Sequence, residues 1–220
     1  IPANMMAAAA LAYAEEICRT VYQNEELAGR CQKLSKEIRE GIEKYGVVHH
    51  EKYGDIYAYE TDGMGHHILM DDANSPSLLA IPYLGYKDAS DETYRNTRRF
   101  ILSEDNPYYY SGTYAKGIGS PHTPKGFIWH IALAMQALTS PDRDEIIKCL
   151  EMIEATHAGC HHMHESFDPG NPKNFTRAWF AWANSIFAEL LDQLLIREFW
   201  KNTDESEKEE TDADNHSIKQ

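Results

Sequence analysis

The sequence has little cysteine, no long apolar run and few basic residues. Four of its 220 residues are cysteines, and no two of them form the Cys-x-x-Cys pair found in many zinc and redox sites. No apolar run approaches the roughly 20 residues that span a bilayer. Lysine and arginine total 21 against 35 acidic residues, which gives a net charge of -14. We therefore expect a soluble protein that has neither a membrane nor nucleic acid as a partner.

The cysteines lie mostly within helical patterns, at Cys18, Cys31, Cys149 and Cys160. We interpret them as buried free thiols, which fits a reducing compartment and favours a cytoplasmic location. The chain begins at Ile1 without a signal-peptide pattern ahead of its first helix, so it looks cut from something longer.

Residues 201–220 differ from the rest of the chain in composition. They are rich in acidic residues, contain no aromatic residue and have almost no aliphatic one. Such a segment cannot bury enough apolar surface to offset the entropy lost on ordering it. We predict one globular domain over residues 1–200, followed by an acidic disordered tail over 201–220.

Apolar residues recur at helical spacing through most of the domain, which indicates an all-α fold. We count about seven helices, mostly in antiparallel pairs, and a small strand hairpin around Asp62-Gly63. The predicted helices cover residues 4–20, 24–45, 75–81, 90–101, 127–138, 140–153 and 177–200. Short turns alternate with long polar and aromatic loops, so the long loops should lie together at one end of the helical assembly, where sites are usually found.

Glu165 has the sequence context of a reactive carboxylate. It follows a helix and precedes the turn signals Asp168-Pro169-Gly170 and Asn171-Pro172, so its side chain should lie at a rim rather than on a solvated helix face. Arg177, shortly after these turns, could hold a carboxylate or a hydroxyl group. A rim carboxylate among aromatic residues suggests sugar chemistry. The alternative is that these aromatic residues are the buried stripe of the next helix: Trp179, Phe180, Trp182 and Phe187.

A second polar group, Asp71, Asp72 and Asn74, stands at the mouth of the third predicted helix. These residues could serve as caps and turn residues, but with Glu165 they supply more carboxylates than caps require. Cleavage of a glycosidic bond uses two carboxyl groups, one as acid and one as base or nucleophile. His122, on a glycine-rich loop, suits hydrogen bonding to sugar hydroxyls.

A zinc site is the competing interpretation of the histidine-rich stretch before Glu165. His157, His161 and His164 would share one face if the helix continued through them, and imidazole is a good zinc ligand. However, none of the standard zinc spacings is present, and Gly159 interrupts the helical pattern. We therefore predict no metal in this site.

Three long motifs are distinctive: GMGHHILMDDANSPSLLAIPYLGY (63–86), YSGTYAKGIGSPHTPKGFIW (110–129) and HESFDPGNPKNFTRAWFAWANSIFAELL (164–191). They resemble glycoside hydrolase family 125, the exo-acting alpha-1,6-mannosidases, and the similarity runs from Ile1 to Leu195. The resemblance implies an (α/α)6 barrel and a metal-independent inverting mechanism that needs no cofactor. It also implies substrates that are alpha-1,6-linked mannosides or N-glycan-derived mannose oligosaccharides, from which non-reducing terminal mannose is removed.

The resemblance also implies roles for individual residues. Glu165 matches the general base of the family, which deprotonates the attacking water. The residues that match pocket-lining segments, and so imply substrate binding, are Asp71, Asp72, Asn74, His122 and Arg177. Two positions depart from the family pattern, because Ala178 and His130 stand where proline is expected.

The general acid of the family is an aspartate in a Ser-Asp-Asp run shortly before the segment that matches Ile1-Pro2-Ala3-Asn4-Met5. This sequence contains no such run. The resemblance therefore implies the C-terminal half of the enzyme, an incomplete barrel that is inactive alone. Two alternatives stay open: a catalytically inert mannoside-binding remnant, and a zinc-dependent hydrolase that uses the three histidines.

Overall fold

The computed structural model describes residues 1–196 and Phe199. Within these residues there are six α-helices and eight short strands, and the strands pair as four antiparallel two-stranded hairpins. The helices are α1 Pro2–Thr20, α2 Glu25–Tyr45, α3 Glu92–Ile101, α4 His130–Leu138, α5 Arg143–Thr156 and α6 Ala181–Ile196. The strands are β1 Val47–His50, β2 Gly54–Tyr57, β3 Glu60–Thr61, β4 His67–Ile68, β5 Tyr109–Ser111, β6 Lys116–Ile118, β7 Ser166–Asp168 and β8 Asn171–Thr176.

The predicted hairpin of α1 and α2 is confirmed, and small side chains explain its close packing. Ala8 on α1 and Ala28 on α2 are fully buried. The hydroxyl of Ser35 donates to the carbonyl of Ala8 at 2.7 Å. Asn24 caps α2, because its Oδ1 accepts the backbone N–H of Leu27 at 3.0 Å. The alanine-rich sequence of α1 thus allows the two helices to approach closely.

Helix α4 lies at the centre of the core. Seven of its residues are buried, and it packs against both α5 and α6. A helix that is apolar all round is buried all round, so α4 is the element around which this part of the chain is arranged. Its pairing with α5 confirms the second predicted helical hairpin, in which Asp142 caps α5 by accepting the N–H of Asp144 at 2.9 Å.

The β7–β8 hairpin is attached to the segment that leads into α4. Ile128 and Phe167 exchange two backbone hydrogen bonds, each 2.9 Å long, and both side chains are fully buried. Burial of each such side chain contributes about 1.5–3 kcal/mol. The beginning of α6 is tied to the same region, because the N–H of Phe180 donates to the carbonyl of Met163 at 3.0 Å. The starts of α4 and α6 therefore lie together with this hairpin.

The predicted helix over residues 75–81 is wrong, so this part of the chain holds six helices rather than seven. Turns occupy these residues. The side chain of Asp71 accepts the N–H groups of Leu78 and Leu79 at 2.8 and 3.0 Å, and Ser77 Oγ accepts that of Ala80 at 3.2 Å. The backbone N–H groups of Ala80 and Ile81 donate to the carbonyls three residues earlier, those of Ser77 and Leu78, at 3.2 and 3.4 Å, which is a turn pattern rather than that of an α-helix.

Several helices begin later than predicted, and for α4, which begins at His130, and α6, which begins at Ala181, the structure shows why. In both cases the preceding residues bond to the β7–β8 region instead of joining the helix. None of the helices within the described residues is both long and apolar enough to cross a membrane. The predicted tail at 201–220 lies outside the described residues.

Candidate active site

Glu165 lies directly before β7, and the hairpin places Arg177 opposite it. The strands pair Ser166 with Thr176 and Phe167 with Phe175, so the same register brings Glu165 beside Arg177. The backbone N–H of Glu165 donates to the carbonyl of Arg177 at 3.4 Å. The turn that joins β7 to β8 is stabilised by Asp168.

Asp168 Oδ1 accepts the N–H groups of Gly170 and Asn171 at 2.8 and 3.3 Å. This is the turn chemistry that Asp-Pro-Gly predicts. The local sequence therefore determines where the hairpin reverses. An irregularity between Phe167 and Asp168 then shifts the pairing of the residues beyond it, so that Arg177 rather than a residue nearer the turn faces Glu165.

The Glu165 carboxylate is largely buried but still reaches solvent. Its side chain is 14% exposed, and its Oε2 lies 3.5 Å from Nε of Arg177, which is 66% exposed. Arg177 adopts a left-handed backbone conformation with φ of 43°, which is uncommon for a residue with a β-carbon and tends to occur at functional sites. The position of Glu165 at a rim agrees with its sequence context.

The aromatic residues after Arg177 divide into two groups. Trp179 and Trp182 are 60% and 43% exposed, so they are not part of a buried stripe. Phe180 and Phe187 are partly buried and pack against the core. The ring of Phe180 also lies under the Arg177 guanidinium, 5.7 Å from its centre.

Asp71 is a buried structural carboxylate rather than an open one. It has no exposed surface, and its two oxygens accept the amides of Leu78 and Leu79. Burial raises the pKa of Asp71 to about 7, and the backbone amides oppose this rise. The general sugar-binding role predicted for Asp71 stays a prediction; in this structure its carboxylate holds the loop that carries Leu78 and Leu79.

Asp72, Asn74 and His122 are brought together beside a cleft of about 260 Å³, to which Ile1 and Tyr59 also contribute. Asp72 Oδ1 accepts the N–H of Asn74 at 3.1 Å, and Asp72 Oδ2 lies 3.7 Å from Nε2 of His122. Asp72 is nearly buried, whereas His122 is 68% exposed. The cleft therefore presents a carboxylate, an amide and an imidazole, all of which suit hydroxyl recognition.

Trp129 connects the His122 loop with the Glu165 region, a role that sequence reasoning did not assign. Its indole N–H donates to Thr123 Oγ1 at 2.8 Å, and its ring meets Phe180 edge-to-face at 5.9 Å. Phe180 in turn lies under Arg177. The available signal was that Trp129 ends one of the three long motifs.

The three histidines of the zinc hypothesis do not converge. His157 and His161 stack at 4.6 Å, while His164 is buried and stacks on Phe175 at 3.9 Å. The helix ends at Thr156, and the following residues take left-handed conformations. Among the described residues, no group of three or more His, Cys, Asp or Glu side chains is arranged to hold a metal ion.

Comparisons with known proteins agree on one family. The family model described as metal-independent alpha-mannosidase (GH125) matches residues 1–192. A Schizosaccharomyces pombe relative, the meiotically up-regulated gene 157 protein, is 46% identical over 198 residues, which are 90% of this chain and 39% of the relative. The chain thus spans well under half the length of this curated relative.

A solved metal-independent alpha-mannosidase from Streptococcus pneumoniae, in a non-productive complex with alpha-1,6-mannobiose, is 46% identical with a TM-score of 0.86. The match covers 89% of this chain and 47% of that one. A bacterial glucoamylase complexed with acarbose shares the fold alone, at 15% identity and a TM-score of 0.63, over 86% of this chain and 32% of its own. Both neighbours have (α/α)6 barrel folds. The chain therefore belongs to glycoside hydrolase family 125, the metal-independent alpha-mannosidases.

Proposed function

We propose that this chain is part of a glycoside hydrolase that removes non-reducing terminal mannose from alpha-1,6-linked mannosides. Its six described helices would form part of an (α/α)6 barrel. The observation that carries the proposal is the Glu165–Arg177 pair, a carboxylate held at a rim among aromatic side chains in a family of alpha-mannosidases. The substrates would be mannobiose-like glycosides or N-glycan-derived mannose oligosaccharides.

Glu165 is proposed as the general base of an inverting, metal-independent reaction. A general base must lie within hydrogen-bond distance of the attacking water, and its own side chain must be held in a fixed orientation. The 14% exposure of Glu165 admits water to the carboxylate, while the ion pair with Arg177 holds one of its oxygens. The water would lose its proton to Glu165 as it attacks the anomeric carbon.

Asp72, Asn74, His122 and Arg177 are proposed to bind sugar hydroxyls. Asp72 is hydrogen-bonded to Asn74 and lies beside His122, so each side chain is preoriented before a sugar arrives. Asp71 would contribute indirectly, because its carboxylate fixes the loop that carries Asp72 and Asn74.

The general acid is proposed to come from outside these 220 residues. An inverting enzyme needs two carboxyl groups about 6.5–9.5 Å apart, so that water fits between base and sugar. The family resemblance assigns the acid to a Ser-Asp-Asp run that this sequence lacks. The 220-residue chain alone is therefore proposed to release no mannose.

We also propose a cytoplasmic location. All four cysteines are free thiols, and the cytosol keeps thiols reduced. Burial raises the pKa of the Cys149 thiol to about 12, which makes it a poor nucleophile and an inert core residue.

The test is mannose release from alpha-1,6-mannobiose in excess chelator. It compares the 220-residue chain with a form extended upstream to include the Ser-Asp-Asp run, where the gene encodes one. The extended form should release mannose, and its Glu165→Ala variant should not. Loss of activity on chelation would contradict the metal-independent mechanism. Mannobiose binding without release by any form would favour the inert mannoside-binding remnant.

A further inference from the structure

Two buried histidines, which the proposed reaction does not use, lie beside the main chain that leads into Glu165. His130 begins α4 and His164 precedes Glu165; they are 1% and 0% exposed. Their ring centres are 5.3 Å apart. Burial lowers the pKa of His130 to about 3 and also lowers that of His164, so both rings are neutral hydrogen-bonding groups at physiological pH.

The hydrogen bonds of His130 assign its tautomer. The backbone N–H of His164 donates to Nδ1 of His130 at 3.0 Å, so Nδ1 carries the lone pair and Nε2 the proton. Nε2 lies 3.0 Å from Oγ1 of Thr156, and the Thr156 hydroxyl donates to the carbonyl of Met152 at 2.6 Å. One imidazole therefore joins the start of α4, the end of α5 and the chain before β7.

His164 extends this connection to the far side of the hairpin. Its Nδ1 lies 2.7 Å from the carbonyl of Ala178, to which it donates, and its ring stacks on Phe175 with an interplanar angle of 5°. Ala178 directly follows Arg177. The residues adjoining both members of the Glu165–Arg177 pair are thus held by the same buried ring.

The polar contacts of Glu165 within the described residues are long. Its backbone bond and its ion pair to Arg177 are 3.4 and 3.5 Å, whereas the bonds of His164 are 3.0 and 2.7 Å. The orientation of the Glu165 carboxylate therefore depends on how firmly the preceding residue is fixed.

We propose that His130 is a positioning residue for Glu165. Its neutral imidazole fixes the main chain of His164 against α4 and α5 and thereby sets the orientation of the Glu165 carboxylate. The inference rests on the proposed role of Glu165 as general base. A displacement of about 1 Å at such a base costs about 100-fold in rate.

Three variants of the mannose-releasing form test this role. His130→Phe keeps a ring but removes both hydrogen bonds. His130→Asn places an amide oxygen near the position of Nδ1, so it retains an acceptor for the His164 N–H. Met135→Ala is the control, because Met135 is buried on the same helix but towards its other end, and its loss should cost stability without touching Glu165.

We expect His130→Phe to lower kcat about 100-fold while KM changes by less than about threefold. His130→Asn should recover about a tenth or more of the wild-type kcat, since the bond to His164 is restored. Met135→Ala should lower the melting temperature but leave kcat unchanged well below that temperature. Equal loss of kcat in all three variants, or an unchanged kcat in His130→Phe, would overturn the positioning role.

A second measurement on the 220-residue chain does not depend on activity. Imidazole ¹⁵N shifts should show an unprotonated Nδ1 on His130. Hydrogen exchange at the His164 amide should accelerate in His130→Phe and return towards the wild-type rate in His130→Asn, and the ¹³Cδ signal of Glu165 should shift in parallel. An upstream-extended wild type that releases no mannose would contradict the proposed function, whereas an unchanged His164 amide or Glu165 signal in His130→Phe would contradict the inference itself.

Discussion

Asp71 and Glu165 are both carboxylates that lie outside the helices and strands, yet their surroundings are opposite. Asp71 has no exposed surface, and its two oxygens are occupied by backbone amides. Glu165 retains 14% exposure and has one long ion pair. A carboxylate that is fully bonded has no capacity left for a substrate, whereas one with a loose partner can accept a proton from water. The difference separates a carboxylate that holds a loop from one that we propose as the general base.

The largest expected effect is at Glu165. Glu165→Gln keeps the shape of the side chain but removes its basicity, so mannose release by the active form should fall about 100- to 10,000-fold. The free energy of unfolding should change by no more than about 1 kcal/mol, because only a partly exposed ion pair is lost. Initial rates and urea unfolding measure the two quantities. A large loss of stability would place Glu165 in the same structural class as Asp71.

Asp71 should show the reverse pattern. Asp71→Ala leaves the buried amides of Leu78 and Leu79 without acceptors, at about 1–3 kcal/mol for each amide. The control is Asp55→Ala, since Asp55 is a 61% exposed carboxylate paired with His49, and its loss should cost about 1 kcal/mol or less. Urea unfolding of the two variants compares them directly. Equal stability of both would contradict the structural role of Asp71.

The pH dependence of the free energy of unfolding tests the buried state of Asp71 further, with buried His130 as the contrasting group. Folded Asp71 keeps its proton up to a pKa of about 7, above its ordinary 3.8, so it makes the free energy of unfolding fall as pH rises from 4 to 7. Folded His130 has a pKa of about 3, below its ordinary 6.5, so it makes this free energy rise over the same range. Each group contributes a slope of about 1.4 kcal/mol per pH unit.

Removing each group should therefore shift the slope in opposite directions. Asp71→Asn should make it more positive and His130→Phe more negative, as measured by urea unfolding at several pH values between 4 and 7. Asp72, the charged neighbour that further raises the Asp71 pKa, stays in place in both variants. Parallel pH profiles for wild type and Asp71→Asn would show that Asp71 ionises normally.

The smallest effect is expected at Arg177. Its side chain is 66% exposed, so Arg177→Ala should change the free energy of unfolding by about 1 kcal/mol or less. Loss of one hydrogen bond to a sugar hydroxyl should raise KM about 2- to 10-fold. Arg177→Lys serves as the control that keeps the charge but loses the planar fork. Identical KM values in wild type and both variants would exclude Arg177 from sugar binding.

Local signals predicted the helical hairpins well. The alanine-rich α1, the Asn24 cap of α2 and the Asp142 cap of α5 each follow from a few neighbouring residues. The same kind of signal failed at residues 75–81, where Ser75-Pro76 has the pattern of a helix start. In the structure the side chain of Asp71 accepts the backbone N–H groups of Leu78 and Leu79 instead, and the segment forms turns.

Motif recognition identified the family and pointed to Glu165, but it could not tell which of the carboxylates are fully buried and which lie beside a cleft. Asp71 and Asp72 are adjacent in sequence, and only packing buries the first completely while leaving the second beside a cleft. Likewise, sequence left the tryptophans undecided, and the structure exposes Trp179 and Trp182.

The sequence by itself determined the helical periodicity and the Asp-Pro-Gly turn at the end of the β7–β8 hairpin. These features depend on contacts between residues close together in the chain. Tertiary structure decided which carboxylate is buried, and it brought His130 to the backbone of His164. Those contacts join residues 7 to 34 positions apart, and burial and hydrogen-bond pairing of this kind depend on how segments that are separate in the sequence pack together.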